Sequence, residues 1–197
     1  MYKIIIIETV YILGAPATGK TTLVKHINQS WVHMMDVKTP LAYRVFKDLR
    51  NKEKEYNIVL GKDAPVYGGT DTLNYTAINS CDDLYKRFLK KSVKYVLAEG
   101  DRLATASFFD LAKKYGNLHV IYLDLDEEIR IKRNQNRASL NKLSPQNITW
   151  QKGRLTKHKN LADKYNAQVI NCGVIEYGLY IEKDVEDLAI QLKEFLV

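Results

Sequence analysis

Gly14-Ala15-Pro16-Ala17-Thr18-Gly19-Lys20-Thr21-Thr22 is the stretch on which the reading of this sequence turns. It fills the G-x-x-x-x-G-K-[ST] phosphate-binding pattern, Walker A, at every defined position. Glycines let backbone N–H groups turn inward around phosphates with no Cβ in the way. A helix starting at the loop adds its positive end. In this chemistry Lys20 reaches the β- and γ-phosphates and the Thr21 hydroxyl ligates Mg²⁺. The flanks agree. Lys3 to Leu13 is rich in Ile, Val and Tyr and reads as a buried central strand, and Thr21 to Asn28 reads as a helix. Glu8 and Thr9 are awkward in that strand; a bulge, or two short strands, would accommodate them. Gly14 through Thr22 are therefore expected to cradle ATP, with Mg²⁺ beside it.

Outward from this core, strand-like and helix-like segments alternate, the mark of an α/β fold with a largely parallel sheet. Leu41, Val45, Phe46 and Leu49 recur at helical spacing, which predicts a helix over Pro40–Arg50 with proline in its first turn. Asn57–Leu60 reads as a short strand, Gly61–Asp71 as turns and Asp82–Lys91 as a helix. Val93–Ala98 is an apolar strand that stops at Glu99-Gly100-Asp101-Arg102. Thr105–Tyr115 reads as a helix closed by Gly116, His119–Leu123 as a strand and Asp126–Arg137 as a basic helix. The polar stretch Ala138–Thr149, with Pro145, reads as a mobile loop before a helix over Gln151–Tyr165. Gln168–Asn171 is expected as the last inner strand and Val174–Ile181 as a peripheral hairpin. Val185, Leu188, Ala189, Leu192 and Leu196 mark an amphipathic final helix. No repeat or linker divides the chain, so residues 1–197 read as one domain.

The 197 residues are enough for one full core, and 46% apolar with 27% charged is ordinary globular composition. The net charge of +7 favours anionic partners without choosing among nucleotides, phosphorylated substrates and nucleic acid. Cys81 and Cys172 stand far apart in no metal-ligand spacing, against structural zinc or a disulfide framework and in favour of a reducing cytosol. Ile4-Ile5-Ile6-Ile7 is too short for a signal peptide and Glu8 interrupts it. No run reaches bilayer-spanning length. A soluble, cytoplasmic protein without a membrane partner is expected.

Ligands of parallel α/β sheets bind at the carboxyl ends of strands, which draws attention to Glu99, Asp101 and Arg102. A carboxylate there holds Mg²⁺ through water or accepts a proton from an attacking hydroxyl, and an arginine offers a fork to an acceptor phosphate. Asp101 is accordingly a metal-side and catalytic candidate beside Thr21; Arg102 is assigned to catalysis and to the acceptor. The bland alternative makes Asp101 the cap of the next helix and leaves Arg102 solvated. Glu99 points either into the cleft or towards a neighbouring helix. Gly68-Gly69-Thr70-Asp71 presents Thr70 and Asp71 as acceptor-binding candidates, its glycines admitting a ligand closely; a plain turn with a helix cap explains it as well. Asp36, Trp31 and Trp150 carry weaker signals of the same kind.

The basic helix bears Arg130, Arg133 and Arg137 at spacings that share one face. Arg133 and Arg137 are candidates for neutralising charge on a transferred phosphoryl group, against the alternative of a merely solvated face. With Arg154, Lys157 and Lys159 beyond the polar loop, the helix–loop–helix layout suits a lid over ATP, at about 130–160. Asp124, which could be taken for a Walker B aspartate, is read instead as the cap of the helix that follows.

The loop GAPATGKTT, the Asp101-Arg102 pair after an apolar strand and the run YLDLDEEIRIKRNQNR together resemble the nucleoside monophosphate kinases, thymidylate kinases in particular. Tyr67-Gly68-Gly69-Thr70-Asp71-Thr72-Leu73 with AEGDRLA is similar to small phage-encoded P-loop kinases, some of them associated with hydroxymethylated pyrimidines in DNA. The resemblance implies a three-layer P-loop fold with a five-stranded parallel sheet, helices on both faces, an acceptor region at about 31–92 and a lid. The segment Trp31–Asp71 departs from the thymidine-recognising region of thymidylate kinases. ATP is the expected donor and a nucleotide or nucleoside the first-choice acceptor. Two readings stand beside it: a kinase of modified bases within DNA, and a P-loop ATPase or nucleotide-dependent switch.

Overall fold

The computed structural model describes residues 6–48, 55–64, 68–176 and 179–182. The chain runs β1 (Ile7–Gly14), α1 (Lys20–Asn28), β2 (Trp31–Val37), β3 (Tyr43–Asp48), β4 (Tyr56–Leu60) and α2 (Cys81–Lys90). It continues through β5 (Val93–Glu99), α3 (Ala106–Tyr115), β6 (Gly116–Asp124), α4 (Glu127–Leu140), α5 (Ile148–Lys164) and β7 (Gln168–Asn171). β8 (Gly173–Glu176) and β9 (Leu179–Glu182) pair with each other as the expected hairpin. Seven strands share one sheet in the order β2-β3-β4-β5-β1-β6-β7. The α/β class stands, but five parallel strands is a correction. β2 with β3 and β3 with β4 are antiparallel, while β4 with β5 and β6 with β7 are parallel.

The antiparallel extension is where the sequence misleads. Pro40–Arg50 is not a helix: Tyr43–Asp48 is strand β3, and Leu49 and Arg50 lie outside the described residues. Tyr43, Val45 and Phe46 are strand formers, and bonding to β2 on one side and β4 on the other overrides the helical spacing of the apolar positions. β2 itself gives no alternating pattern because Val32, Met34 and Met35 are all exposed. It is the edge strand, and its register shifts between His33 and Met35.

Two compact units make up the chain: the described residues up to Tyr11 with Asn28–His119, and Ile12–Ile27 with the described residues from Val120. In the first, the buried Tyr11 ring meets Phe109 at 4.9 Å and Phe108 at 5.7 Å between centroids. From α2, Cys81, Leu84, Tyr85 and Phe88 are buried at helical spacing. The awkward strand residues have partners: Thr9 bonds the Tyr85 hydroxyl at 2.9 Å, and Glu8 accepts from Asn117 Nδ2 and bonds His119 Nε2. Gly116 follows α3 with an extended backbone, and a Cβ on it would overlap the Ile7 carbonyl; close approach, not a left-handed cap, requires this glycine.

Caps fix the remaining boundaries. Thr105 Oγ1 accepts from Phe108 N–H at the start of α3, and Asn147 Oδ1 from Trp150 N–H at the start of α5. Asp126, not Asp124, caps α4 by accepting from Glu128 N–H at 2.9 Å. Asp124 ends β6, and its carbonyl accepts from Cys172 N–H. α5 starts at Ile148, so the predicted loop shrinks to 141–147. The expected final helix through Val185 to Leu196 lies outside the described residues. Among the described residues, no helix is long and apolar enough to cross a membrane.

Burial raises the phenols of Tyr11, Tyr85, Tyr95 and Tyr122, the last two to about 12, and pushes the Cys81 thiol up to about 12. These groups are neutral when protonated, so the unfolded chain releases their protons at lower pH than the folded one. Their contribution is whole below about pH 9 and is lost as pH rises towards 12. Urea midpoints should therefore fall between about pH 9 and 11. A flat profile over that window would show that these groups titrate alike in both states.

Candidate active site

In the second unit, β1 ends and the phosphate loop begins at Gly14, with φ 146°. A Cβ there would stand 2.6 Å from Thr18 Oγ1 and 2.9 Å from the Leu123 carbonyl. Thr18 is buried and donates to the Ala15 carbonyl at 2.9 Å, which folds the loop on itself. The backbone then passes through positive φ at Ala17 (69°) and Gly19 (97°) before α1 starts at Lys20. A Cβ at Gly19 would meet no heavy atom within 4 Å. Lys20 Nζ donates to the Gly14 and Ala15 carbonyls, each at 2.9 Å. Pro16 and Thr21 are half-buried and Thr22 is exposed.

These features fit an ATP triphosphate. The helix N-terminus supplies N–H donors, Lys20 an ammonium, Thr21 a hydroxyl, and the ground in front of Gly19 is clear. Among the described residues no group of three or more His, Cys, Asp or Glu is placed to hold a metal ion. A magnesium ion at this loop would rest on the Thr21 hydroxyl and the phosphate oxygens of the nucleotide itself.

His158 of α5 was invisible as a site residue in the sequence. It is buried, and its Nδ1 lies 3.1 Å from the Gly14 nitrogen and 2.8 Å from the Gly14 carbonyl oxygen. Gln151, His158 and Ala162 are the buried residues of α5, a stripe at helical spacing that could have flagged two polar side chains on the inner face.

The three arginines of α4 are not equivalent. Arg130 is buried, donates from Nη1 to Gln151 Oε1 at 2.9 Å, and has Nη2 3.7 Å from Glu127 Oε1. Arg137, half-buried, donates to Asn134 Oδ1 and Gln146 Oε1. Arg133 is half-buried too. In this way α4 and α5 are tied by polar side chains, with Arg130 absorbed in the packing. On α5, the exposed Trp150 carries the Arg154 guanidinium 5.2 Å from its ring centre.

In the first unit a second group of candidates converges. Asp71 Oδ1 accepts from Asp101 N–H at 2.7 Å, and the buried Tyr11 hydroxyl donates to the Gly100 carbonyl at 2.9 Å. Thr70 is fully buried, 3.3 Å from that hydroxyl. Glu99 is buried as well, and a Cβ on Gly69 would lie 2.5 Å from its Oε1. The space left by Gly69 thus receives Glu99, not a ligand. Gly61 packs so tightly on the Gly69 carbonyl that a Cβ would overlap it. Arg102 donates from Nε to the Leu73 carbonyl, and its guanidinium carbon sits 3.7 Å from the centre of the Tyr75 ring. Tyr75 is 83% exposed. The reading of Asp101 as the cap of α3 falls, because Thr105 holds that place. Asp36 pairs with His33 on β2, and Trp31 packs near Phe46.

A strand, a G-x-x-x-x-G-K-T loop and a helix springing from the lysine define a P-loop nucleotide-binding protein. The chain belongs to the P-loop Nucleotide Kinase3 family, which matches residues 6–190. No curated protein matches the chain. Among solved structures it is similar to an unliganded sugar kinase from Janibacter sp. HTCC2649, with 11% identity, TM-score 0.46, and 96% of this chain and 91% of that one covered. It is also similar to the shikimate kinase of Acinetobacter baumannii in complex with shikimate, with 12% identity, TM-score 0.38, and coverage of 96% and 93%.

Ala17 holds φ 69° without being glycine. Left-handed backbone costs an alanine about 1–2 kcal/mol, partly offset by its smaller unfolded-state entropy. Ala17→Gly should raise unfolding free energy by about 0.5–1 kcal/mol in urea titration. A loss of stability would show that the methyl group contributes packing that outweighs the strain.

Proposed function

We propose that this protein transfers the γ-phosphate of MgATP to a nucleotide or nucleoside acceptor, in the manner of the thymidylate kinase-like and small phage-encoded kinases that its motifs resemble. Membership of a nucleotide kinase family supports the phosphotransferase class. The observation that carries the acceptor class is the Arg102–Tyr75 stack: an exposed aromatic face lies directly against a guanidinium. A base can stack on such a ring while the guanidinium fork takes a phosphate.

In this reading Gly14–Thr22 hold the donor triphosphate, Lys20 moves from its two carbonyls to the β- and γ-phosphates, and Thr21 ligates Mg²⁺. Arg133 and Arg137 neutralise charge spreading over the phosphoryl oxygens, and the segment around 130–160 acts as the lid. Magnesium held there with the nucleotide would supply neutralisation of phosphate charge. Asp101 accepts the proton of the attacking group or holds magnesium through water. Asp71 fixes the Asp101 backbone and lines the acceptor region. Thr70 and Glu99, both buried, support the acceptor loop from behind. The +7 charge, together with exposed Tyr75 and the Trp150–Arg154 pair, favours one second reading, in which the acceptor base belongs to a DNA strand.

Offering labelled γ-phosphate from ATP to nucleosides, nucleoside monophosphates and hydroxymethylated DNA should label one of these classes. Free phosphate alone, unchanged by every acceptor, would replace the kinase by an ATPase. Lys20→Ala should reduce transfer by at least about a hundredfold with the fold retained; near-normal turnover would sink the loop assignment.

Arg102→Ala should raise the acceptor KM far more than the ATP KM. Tyr75→Leu should weaken acceptor binding about tenfold, the scale of one base–aromatic stack, while Tyr75→Phe stays near the parent. Equal effects of Arg102→Ala on both substrates would move Arg102 to the donor side.

A further inference from the structure

The phosphate loop is served by one side chain that no phosphate-loop motif contains. His158 is 2% exposed and sits well inside α5, with its ring edge against the peptide of Gly14. Nδ1 faces both polar atoms of that residue, 3.1 Å from the nitrogen and 2.8 Å from the oxygen. One nitrogen of a neutral ring serves one of them at a time: without a proton it accepts from the Gly14 N–H, and with a proton it donates to the Gly14 carbonyl. That carbonyl also accepts from Lys20 Nζ, at 2.9 Å. His158 and the lysine therefore share a single oxygen at the mouth of the loop.

We propose that His158 is a positioning residue of the phosphate loop, holding the Gly14 peptide in place and staying on its carbonyl when Lys20 leaves for the nucleotide phosphates. The inference rests on the reading of Gly14–Thr22 as the ATP site. A ring protonated at Nδ1 donates to the Gly14 carbonyl beside Lys20, at 2.8 Å, the shorter of its two contacts with that residue. When the ammonium moves to a phosphate, the carbonyl loses a charged donor and the Nδ1–H already on it remains, with no proton having to move. The imidazole is suited to this because a neutral ring keeps one N–H donor on a rigid frame. A leucine would fill the same volume and serve neither edge. Gly14 has no room for a side chain, with Thr18 Oγ1 and the Leu123 carbonyl where a Cβ would stand, so the ring can reach this residue only through its N–H and carbonyl.

The test uses the full chain and three probes: MgATP, inorganic tripolyphosphate and thymidine 5′-monophosphate, with binding measured by calorimetry. His158→Leu should weaken MgATP and tripolyphosphate alike, by about tenfold, the scale of one lost hydrogen bond to a charged network, and leave thymidine 5′-monophosphate unchanged. His158→Asn places an amide where Nδ1 stands and can present either its oxygen or its nitrogen, so it should stay within about twofold of the parent. His158→Gln, whose amide reaches the Nε2 position instead, should behave like leucine. If the leucine variant fails to fold, the asparagine–glutamine pair decides. Parent-like tripolyphosphate affinity in the leucine variant, or equal losses in asparagine and glutamine, would overturn the inference. A parent protein that binds neither MgATP nor tripolyphosphate would instead overturn the ATP reading of the loop.

Discussion

Gly14 is where a buried strand becomes a ligand loop, and every contact around it presupposes the missing Cβ. Thr18 Oγ1 and the Leu123 carbonyl occupy the space a side chain would take, and Lys20 and His158 both reach the same peptide. Crowding of this kind makes the position rigid without making it apolar. A strand that ended one residue earlier or later would turn a residue with a Cβ into that space. The fold of the second unit thereby fixes the loop's place along the chain before any ligand is considered.

Crowded glycines shape the first unit too. Gly61 lies on Gly69, Gly69 on Glu99, and Gly100 against Thr70 and Asp71. Backbone is packed on backbone at the carboxyl end of β5, which leaves little freedom to the Asp101–Arg102 pair. The buried Tyr11 hydroxyl reinforces this by donating to the Gly100 carbonyl. Positional accuracy there rests on close-packed main chain and short hydrogen bonds.

Legibility in the sequence followed the range of the interactions concerned. Short-range signals read well: the Gly14–Thr21 loop, the helices now spanning Cys81–Lys90, Ala106–Tyr115 and Ile148–Lys164, and the apolar strand before Glu99. Errors arose where pairing partners decided the outcome. Tyr43–Asp48 satisfies helical spacing, yet it has a strand on each side, and β2 shows no pattern because its exposed residues are apolar. The capping aspartate was misplaced by two residues since Asp124 and Asp126 offer the same side chain, and only the end of β6 distinguishes them. Of the candidate site, the glycine-rich loop between β1 and α1 was readable in the sequence. His158 was not, because a histidine in a basic helix gives no sign that it faces a glycine 144 positions away. Nor was Tyr75, which lies in a turn and meets Arg102 only in space.

The register shift in β2 bears on how this protein behaves in a crowded solution. An edge strand with Val32, Met34 and Met35 turned to solvent would otherwise be an inviting template for a further strand from another molecule. The register shift between His33 and Met35 breaks the even ladder of backbone groups along that edge. Such an irregular step makes an apolar edge a poorer template for another strand, an effect that lies in backbone geometry and not in surface charge.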